Sequence, residues 1–264
     1  MSHDRTRPTT ARTEAATRLT RNVVRGIHRL QHAYVNCYLV EDDDGVTVVD
    51  TAFPATWSLA NRALAAIGRG PADVRAVVLT HAHFDHLGFA SRAQSEWGVP
   101  VLAHPLEGYI AAHPYRYAHE RSRLLYPLRY PGDLPVLARM AAAGALNVPG
   151  VGGIVPFEAG EALDVPGRPR VVFTPGHTFG HSALHFAAHG ALLTGDALVT
   201  FDPYTGVGGP QIVSGAATAD SDEALRTLTA LEATGAEVVL PGHGQPWRGG
   251  IREAVRLARA AGPS

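Results

Sequence analysis

The chain has 264 residues, a formal net charge of −1 and a hydrophobic fraction of 45%, which fits a folded protein of one large or two small domains. Its 23 basic residues are all Arg, and this excludes mechanisms that use a lysine nucleophile or Schiff base. The balanced charge argues against a nucleic-acid partner, and no apolar run reaches the length of a membrane span. A single cysteine, Cys37, excludes an intramolecular disulfide and fits a reducing compartment, so we expect a cytoplasmic protein.

The N-terminal segment, residues 1–25, is rich in Arg and Thr and has almost no large apolar side chain. Such a segment cannot bury enough surface to offset the entropy of ordering. An organelle transit peptide has a similar composition, but we interpret the segment as a flexible tail. The remainder, residues 26–264, is predicted to form one catalytic domain.

The predicted elements after the tail alternate between strands and helices. Residues 34–40 and 46–50 are β-rich runs separated by an acidic stretch that ends in Asp-Gly, which predicts a hairpin. Residues 57–67 have helical spacing, and residues 74–80 form the continuous apolar run typical of a buried strand. Further strands are predicted at 99–103, 171–174, 183–186, 191–194 and 237–240, and further helices at 221–234 and 251–261. This alternation predicts an α/β protein.

The segment at about 105–150 differs from the rest of the chain in composition. Tyrosines, arginines and prolines precede an Ala- and Leu-rich stretch with helical spacing. We interpret it as a helical, Tyr/Arg-rich insertion on the outside of the core. The insertion leaves the core between segments that carry potential ligands. It could form a lid over the substrate or be a surface elaboration, and the sequence does not decide between these two interpretations.

The strongest chemical signal directly follows the predicted strand 74–80. Four potential metal ligands lie within six residues: His81, His83, Asp85 and His86. They cannot all point one way on a strand or a helix, whereas on a loop they can face two neighbouring metals. Three further candidates each follow a strand-like run: His177, Asp196 and His243. Because ligands in α/β folds gather at the carboxyl ends of strands, these segments can converge in one cleft.

Other histidines are expected to have structural roles. His181, His185 and His189 recur every four residues, but residues four apart on a strand lie about 13 Å from each other, too far to share a metal. We expect His181 to support the loop that carries His177. Cys37 lies on a predicted buried strand and should act as a small hydrophobe.

The ordered pattern His81-x-His83-x-Asp85-His86, followed by the three later candidates, resembles the metallo-β-lactamase superfamily over residues 27–250. The resemblance implies a four-layer αββα sandwich with metals along one edge. It implies that one metal is held by His81, His83 and His177. It implies that a second metal is held by Asp85, His86 and His243, and that Asp196 bridges both. Asp50 matches the family residue that orients a ligand imidazole from behind.

The resemblance also implies an activity. We expect a dinuclear metal-dependent hydrolase of a small ester, lactone or thioester, in which a hydroxide shared by two metals is the nucleophile and Asp85 accepts its proton. Imidazole and carboxylate ligands without thiolate favour two Zn(II) ions, and Fe or Mn accept the same ligands. The expected partner is a small-molecule substrate, with no nucleic acid and no membrane.

Three alternatives stay open. A persulfide dioxygenase-like oxidoreductase would use one iron at the positions of His81, His83, His177 and Asp196, although this chain keeps the second ligand set as well. Many β-lactam-hydrolysing members grip the substrate carboxylate with a Lys, which this chain lacks. A non-catalytic metal-binding relative would be expected to have lost ligands. The hydroxyacylglutathione hydrolase type is disfavoured, because it carries a C-terminal helical domain and only 21 residues follow His243.

Overall fold

The structure is a computed structural model that describes residues 18–123 and 126–264. Its strands are β1 (Arg18–Val24), β2 (Ile27–His32), β3 (Val35–Asp42), β4 (Gly45–Val49), β5 (Val74–Val78), β6 (Val101–Ala103), β7 (Val155–Pro156), β8 (Arg170–Phe173), β9 (Ser182–Phe186), β10 (Ala191–Gly195), β11 (Val199–Phe201), β12 (Gly208–Gln211) and β13 (Val238–Pro241). Its α-helices are α1 (Trp57–Ala66), α2 (Phe84–Leu87), α3 (Ala90–Glu96), α4 (Gly108–Ala112), α5 (Tyr126–Arg129), α6 (Leu134–Ala142), α7 (Ser221–Glu232) and α8 (Ile251–Ala261).

The strands form two main sheets. The first has seven strands in chain order from β1 to β7, and the second has four strands in the order β13-β10-β9-β8. In the first sheet β1 to β4 pair antiparallel and β4 to β7 pair parallel. In the second, β10 and β13 are parallel, so their carboxyl ends lie at the same edge of that sheet. A small ribbon of β11 and β12 follows β10.

Three apolar clusters show how the layers stack. Val49 and Val78 of the first sheet and Leu193 of the second point into one shared cluster between the sheets. Their chain neighbours point the opposite way, because successive side chains of a strand alternate between faces. Val48 and Val77 pack with α1, α3 and α6, and Leu192 packs with α7 and α8. The order helix, sheet, sheet, helix confirms the predicted αββα sandwich.

The predicted hairpin is present, since β3 and β4 are antiparallel and Asp42 pairs with Gly45. The predicted helices at 57–67, 221–234 and 251–261 correspond to α1, α7 and α8. Strands β1, β2, β7, β11 and β12 were not predicted, because they are short, polar or rich in Gly and their apolar pattern is weak. In the described part of the chain, no helix has the length and apolar character needed to cross a membrane.

The predicted tail boundary at residue 25 is wrong. Residues 1–17 lie outside the described residues, but Arg18–Val24 form β1 at the edge of the first sheet. An edge strand is held by main-chain hydrogen bonds on one side and keeps charged side chains in solvent, so the Arg-rich composition did not reveal it. The predicted insertion contains α4, α5 and α6, and Val136 and Met140 of α6 belong to the cluster on the outer face of the first sheet.

Candidate metal centre

The seven candidate ligands all lie at one edge of the sandwich. His81 and His83 belong to the loop after β5, and Asp85 and His86 lie in the short helix α2 that follows. His177 lies between β8 and β9, whereas Asp196 and His243 follow the carboxyl ends of β10 and β13. All seven side chains are buried, and Asp85 is the most exposed at 7%. The structure therefore brings together every residue that the sequence pattern singled out.

The geometry groups these side chains into three overlapping sets. Within each set one potential ligand atom per residue lies within 4.8 Å of the others, and the sets are His81, His83 and His177; His81, His86 and Asp196; and Asp85, His86 and His243. Asp196 belongs to the second set and also lies close to members of the other two. Its Oδ2 is 3.5 Å from His177 Nε2 and 3.2 Å from His243 Nε2, and its Oδ1 is 3.4 Å from His86 Nε2. This arrangement can hold two metals with one carboxylate between them.

Hydrogen bonds behind His86 and His243 determine which ring nitrogen faces the centre. His86 Nδ1 lies 3.0 Å from Asp50 Oδ2, and His243 Nδ1 lies 2.9 Å from the main-chain oxygen of Tyr34. Both partners are acceptors, so each Nδ1 carries a proton and each Nε2 is the nitrogen that faces the centre. Asp50 also accepts from the amide and hydroxyl of Thr80, so the expected support of a ligand imidazole by Asp50 is present in the geometry.

The carbonyl that supports His243 comes from a tight turn. Ala33 and Tyr34 connect β2 to β3, with φ values of 47° and 72°, in the left-handed region that non-glycine residues rarely adopt. Such turns match the twist of a two-residue hairpin. The adjacent Asn36 side chain donates to the main-chain oxygens of Pro241 and Gly244. The hairpin thereby holds the loop that carries His243.

The same reasoning applies to His81 and His177. Thr80 Oγ1 donates to Asp50 Oδ2 and therefore accepts from His81 Nδ1, which lies 3.1 Å away. Thr218 Oγ1 donates to the Val213 carbonyl and therefore accepts from His177 Nδ1 at 3.3 Å. Both imidazoles again direct the Nε2 lone pair to the centre.

His83 presents its other nitrogen. Its Nδ1 lies 3.0 Å from His177 Nε2, so two potential ligand nitrogens converge on one point. The buried atoms without any hydrogen-bond partner among the described residues include Nε2 of His81, His83 and His86 and Oδ1 of Asp196. Buried polar atoms are otherwise nearly always paired. The residues present thus fit a pair of metal ions, because converging ligand nitrogens and unpartnered buried atoms are what metal ligands offer.

The pKa values of the candidate ligand histidines fall into two groups, depending on whether burial or a nearby carboxylate dominates. Burial lowers the pKa of His81 and His83 well below 6.5 and that of His177 to about 4, so these rings are neutral. Burial also acts on His86 and His243, but Asp196 and its neighbouring carboxylates outweigh it. The pKa of His86 is raised well above 6.5, and that of His243 to about 10. Metals that bind at these two rings must therefore displace protons.

Other histidines of the sequence lie outside the centre or behind it. His181 Nε2 accepts from the amide of Asp196, and its Nδ1 lies 2.8 Å from Thr174 Oγ1. Both ring nitrogens are thus occupied, as expected for a residue that supports the ligand loops. His104 stacks on Phe173, and His185 and His189 are half-buried outside the centre.

An aromatic and cationic group from two loops covers His83, and the sequence did not reveal it. The Tyr117 ring of the insertion lies 3.9 Å from the His83 ring, centre to centre. Its hydroxyl accepts from Arg123 at 3.0 Å and is hydrogen-bonded to Tyr204. Arg123 also lies over the Tyr117 ring. Burial raises the pKa of Tyr117 to about 12. Within the described residues, Arg123 has no carboxylate at ion-pair distance.

Comparison with known proteins identifies relatives along most of the chain. The family model described as the metallo-beta-lactamase superfamily matches residues 32–243. The "Probable metallo-hydrolase YflN" of Bacillus subtilis is 27% identical over 244 residues, which cover 85% of this chain and 86% of that protein. A hydroxyacylglutathione hydrolase of Gloeobacter violaceus is 30% identical over 173 residues. This match covers 65% of the chain and only 52% of the hydrolase.

Solved structures of metallo-beta-lactamase family proteins are also similar to this chain. The metallo-beta-lactamase family protein TTHA1429 of Thermus thermophilus superposes with a TM-score of 0.64 at 30% identity, over 86% of this chain and 74% of that one. TTHA1623, solved in a di-iron-bound form, gives a TM-score of 0.58 at 27% identity, over 85% of this chain and 93% of that one.

Proposed function

The chain belongs to the metallo-β-lactamase superfamily and is a metal-dependent hydrolase, and from this premise we propose that it cleaves a small ester, lactone or thioester at a two-metal centre. The observation that carries the proposal is the convergence of two three-residue ligand sets on Asp196. In the proposed centre, His81, His83 and His177 hold one metal, and Asp85, His86 and His243 hold the other.

Two divalent cations, when bound, lower the pKa of a shared water and polarise the carbonyl of the substrate. Asp85 is the ligand best placed to handle the proton of that water. It is the most exposed of the seven side chains, and its Oδ2 lies 3.3 Å from His243 Nε2. Asp50 and the Tyr34 carbonyl keep the rings of His86 and His243 in one orientation. The imidazole and carboxylate donors support zinc, and the di-iron form of the similar TTHA1623 makes iron the second candidate.

Tyr117, Tyr204 and Arg123 form the proposed substrate-facing group. It lies against His83, and the charge of Asp85 acts on both tyrosines. Phenol hydroxyls can hydrogen-bond an ester or thioester oxygen, and a guanidinium without a carboxylate partner can bind an anionic substituent of the substrate. This role gives the insertion a part in substrate binding.

Metal content and a hydrolysis screen on the same purified sample test the proposal. We expect close to two transition-metal ions per chain and turnover of at least one class among lactones, thioesters, simple esters and β-lactams. Thioesters belong in the screen because hydroxyacylglutathione hydrolases are among the relatives. If the protein held one iron per chain and consumed oxygen with a persulfide substrate, the proposed hydrolase activity would be wrong and the protein would be an oxidoreductase.

Asp85→Ala tests the assignment of the proton acceptor. We expect turnover of the best substrate to fall below detection while the circular dichroism spectrum keeps its native shape. Asp222→Asn, which changes an exposed carboxylate in the first turn of α7, is the matched control and should keep parental activity. Undiminished turnover by Asp85→Ala would show that the assigned mechanism is wrong.

A further inference from the structure

Glu107 is a fully buried carboxylate next to the proposed centre, and it is not among the proposed metal ligands. It follows β6 in a 3₁₀ turn, Pro105–Glu107, and its exposed fraction is 0%. Within the described residues, no Arg or His lies at ion-pair distance from it. A buried carboxylate without a cation is costly unless hydrogen bonds stabilise it, so its partners explain its presence.

Its partners come from both loops that carry ligands of the first metal. Glu107 Oε2 accepts from the amide of Ala82 at 2.7 Å, and Ala82 lies between His81 and His83. Glu107 Oε1 accepts from the hydroxyl of Thr178 at 2.6 Å and from the amide of Gly180 at 3.0 Å. These two residues belong to the loop that carries His177. One carboxylate thus connects a loop of the seven-stranded sheet to a loop of the four-stranded sheet.

The surroundings of Glu107 leave little freedom. A Cβ atom added at Gly180 would lie 2.7 Å from Glu107 Oε1, closer than real Cβ contacts, and 3.0 Å from the Glu107 main-chain nitrogen, which is tighter than most. A side chain at position 180 would therefore displace the carboxylate from the Gly180 amide. Burial raises the pKa of Glu107, while the hydrogen bonds from Thr178, Ala82 and Gly180 lower it.

We propose that Glu107 is a positioning residue for the first metal: its carboxylate sets the separation of the loops that carry His81, His83 and His177. His83 Nδ1 and His177 Nε2 lie 3.0 Å apart, although their loops follow strands of different sheets. A fixed connection between the two loops is therefore needed to keep these two nitrogens close to each other. The second metal has no such dependence, because Asp50 and the Tyr34 carbonyl hold His86 and His243 separately. This inference rests on the proposed metal centre and adds a prediction specific to one of its two sites.

Glu107→Gln is an informative variant. Each carboxylate oxygen faces one main-chain amide, which can only donate. A Gln side chain has one oxygen and one NH₂ group, so in either orientation its NH₂ faces an amide and one connection is lost. Thr178→Val removes a single hydrogen bond and serves as the milder second variant. Glu120→Gln is the matched control. The Glu120 side chain accepts from the amide and hydroxyl of Ser221 and so links the insertion to α7. The substitution leaves the main-chain hydrogen bond from Glu120 to Thr218 in place.

The test measures Zn(II) affinity by competition with a chromophoric chelator in two single-site backgrounds. His243→Ala leaves the first ligand set, and His83→Ala leaves the second. In the His243→Ala background we expect Glu107→Gln to weaken Zn(II) binding by about 10- to 100-fold, as is usual when a residue that orients a ligand is lost. Thr178→Val should cause a smaller loss there. In the His83→Ala background, neither change nor the Glu120→Gln control should alter affinity by more than a factor of three.

An equal loss of affinity at both sites, or none at either, would overturn the role of Glu107 while leaving the metal centre in place. Parent chains that bind no Zn(II) in either background would overturn the proposed function itself. Thermal unfolding of the metal-free variants separates the two kinds of effect, because a merely structural residue lowers the midpoint without changing one site selectively.

Discussion

Gly242→Ala should disable the metal centre by inserting one methyl group. Gly242 directly precedes His243, and its φ lies outside the left-handed region, so the perturbation is steric. The added Cβ would lie 2.2 Å from Asp196 Oδ1 and 2.7 Å from His86 Cε1. Restoring an ordinary contact of about 3.4 Å requires the carboxylate to move by roughly 1.2 Å, well beyond the ~0.2 Å tolerance of metal–ligand distances.

We therefore expect Zn(II) binding to weaken by at least about 10-fold, a typical effect for a disturbed ligand environment. Overpacking should lower the free energy of unfolding by about 1–3 kcal/mol, a fall of about 2–4 °C in Tm for each kcal/mol. Chelator competition and calorimetry measure both effects. Gly152→Ala is the matched control, since an added Cβ there meets nothing within 4 Å. Parental metal affinity and Tm in Gly242→Ala would refute this reasoning.

Three further predictions concern the core, the thiol and the substrate. Leu192→Ala should cost about 2–5 kcal/mol in denaturant unfolding, because Leu192 is fully buried against α7 and α8; a loss below about 1 kcal/mol would contradict that packing. Burial and the charge of Asp50 raise the pKa of the Cys37 thiol far above its usual range, so a thiol reagent at pH 8 should react only after unfolding, and rapid reaction of the native protein would argue against it. Arg123→Gln should raise KM about 10-fold or more for an ester that carries a carboxylate and leave KM for the neutral analogue unchanged. The control Arg129→Gln should leave KM for both esters unchanged. Equal effects of Arg123→Gln on the two esters would exclude anion binding by Arg123.

The ligand pattern could be predicted from the sequence because it consists of residues at short, regular spacings. His81, His83, Asp85 and His86 lie within one loop and helix, and each later candidate follows a strand whose apolar run is plain in the sequence. The family resemblance on these residues, the αββα fold and the hydrolase class are confirmed. The assignment of ligands to two metals stays a prediction that the geometry supports and that metal analysis tests.

Other features were not accessible from any local pattern. The support of His243 comes from a main-chain carbonyl of a hairpin more than 200 positions earlier in the chain, and a carbonyl has no sequence signature. Strand β1 is defined by its pairing with β2, because its own composition resembles a tail. The position of Tyr117 over His83 depends on how the insertion packs on the edge of the sandwich.

The sequence by itself determined the kinds of ligand, their order and the strands that carry them, since hydrophobic periodicity and residue spacing act over a few residues. Only the tertiary structure decided which ring nitrogen each histidine presents, since that depends on acceptors such as Asp50 and Thr218. It also decided that Glu107 joins the two ligand loops. These contacts join segments that lie far apart in the chain, so their partners are set by tertiary packing, which no local pattern encodes.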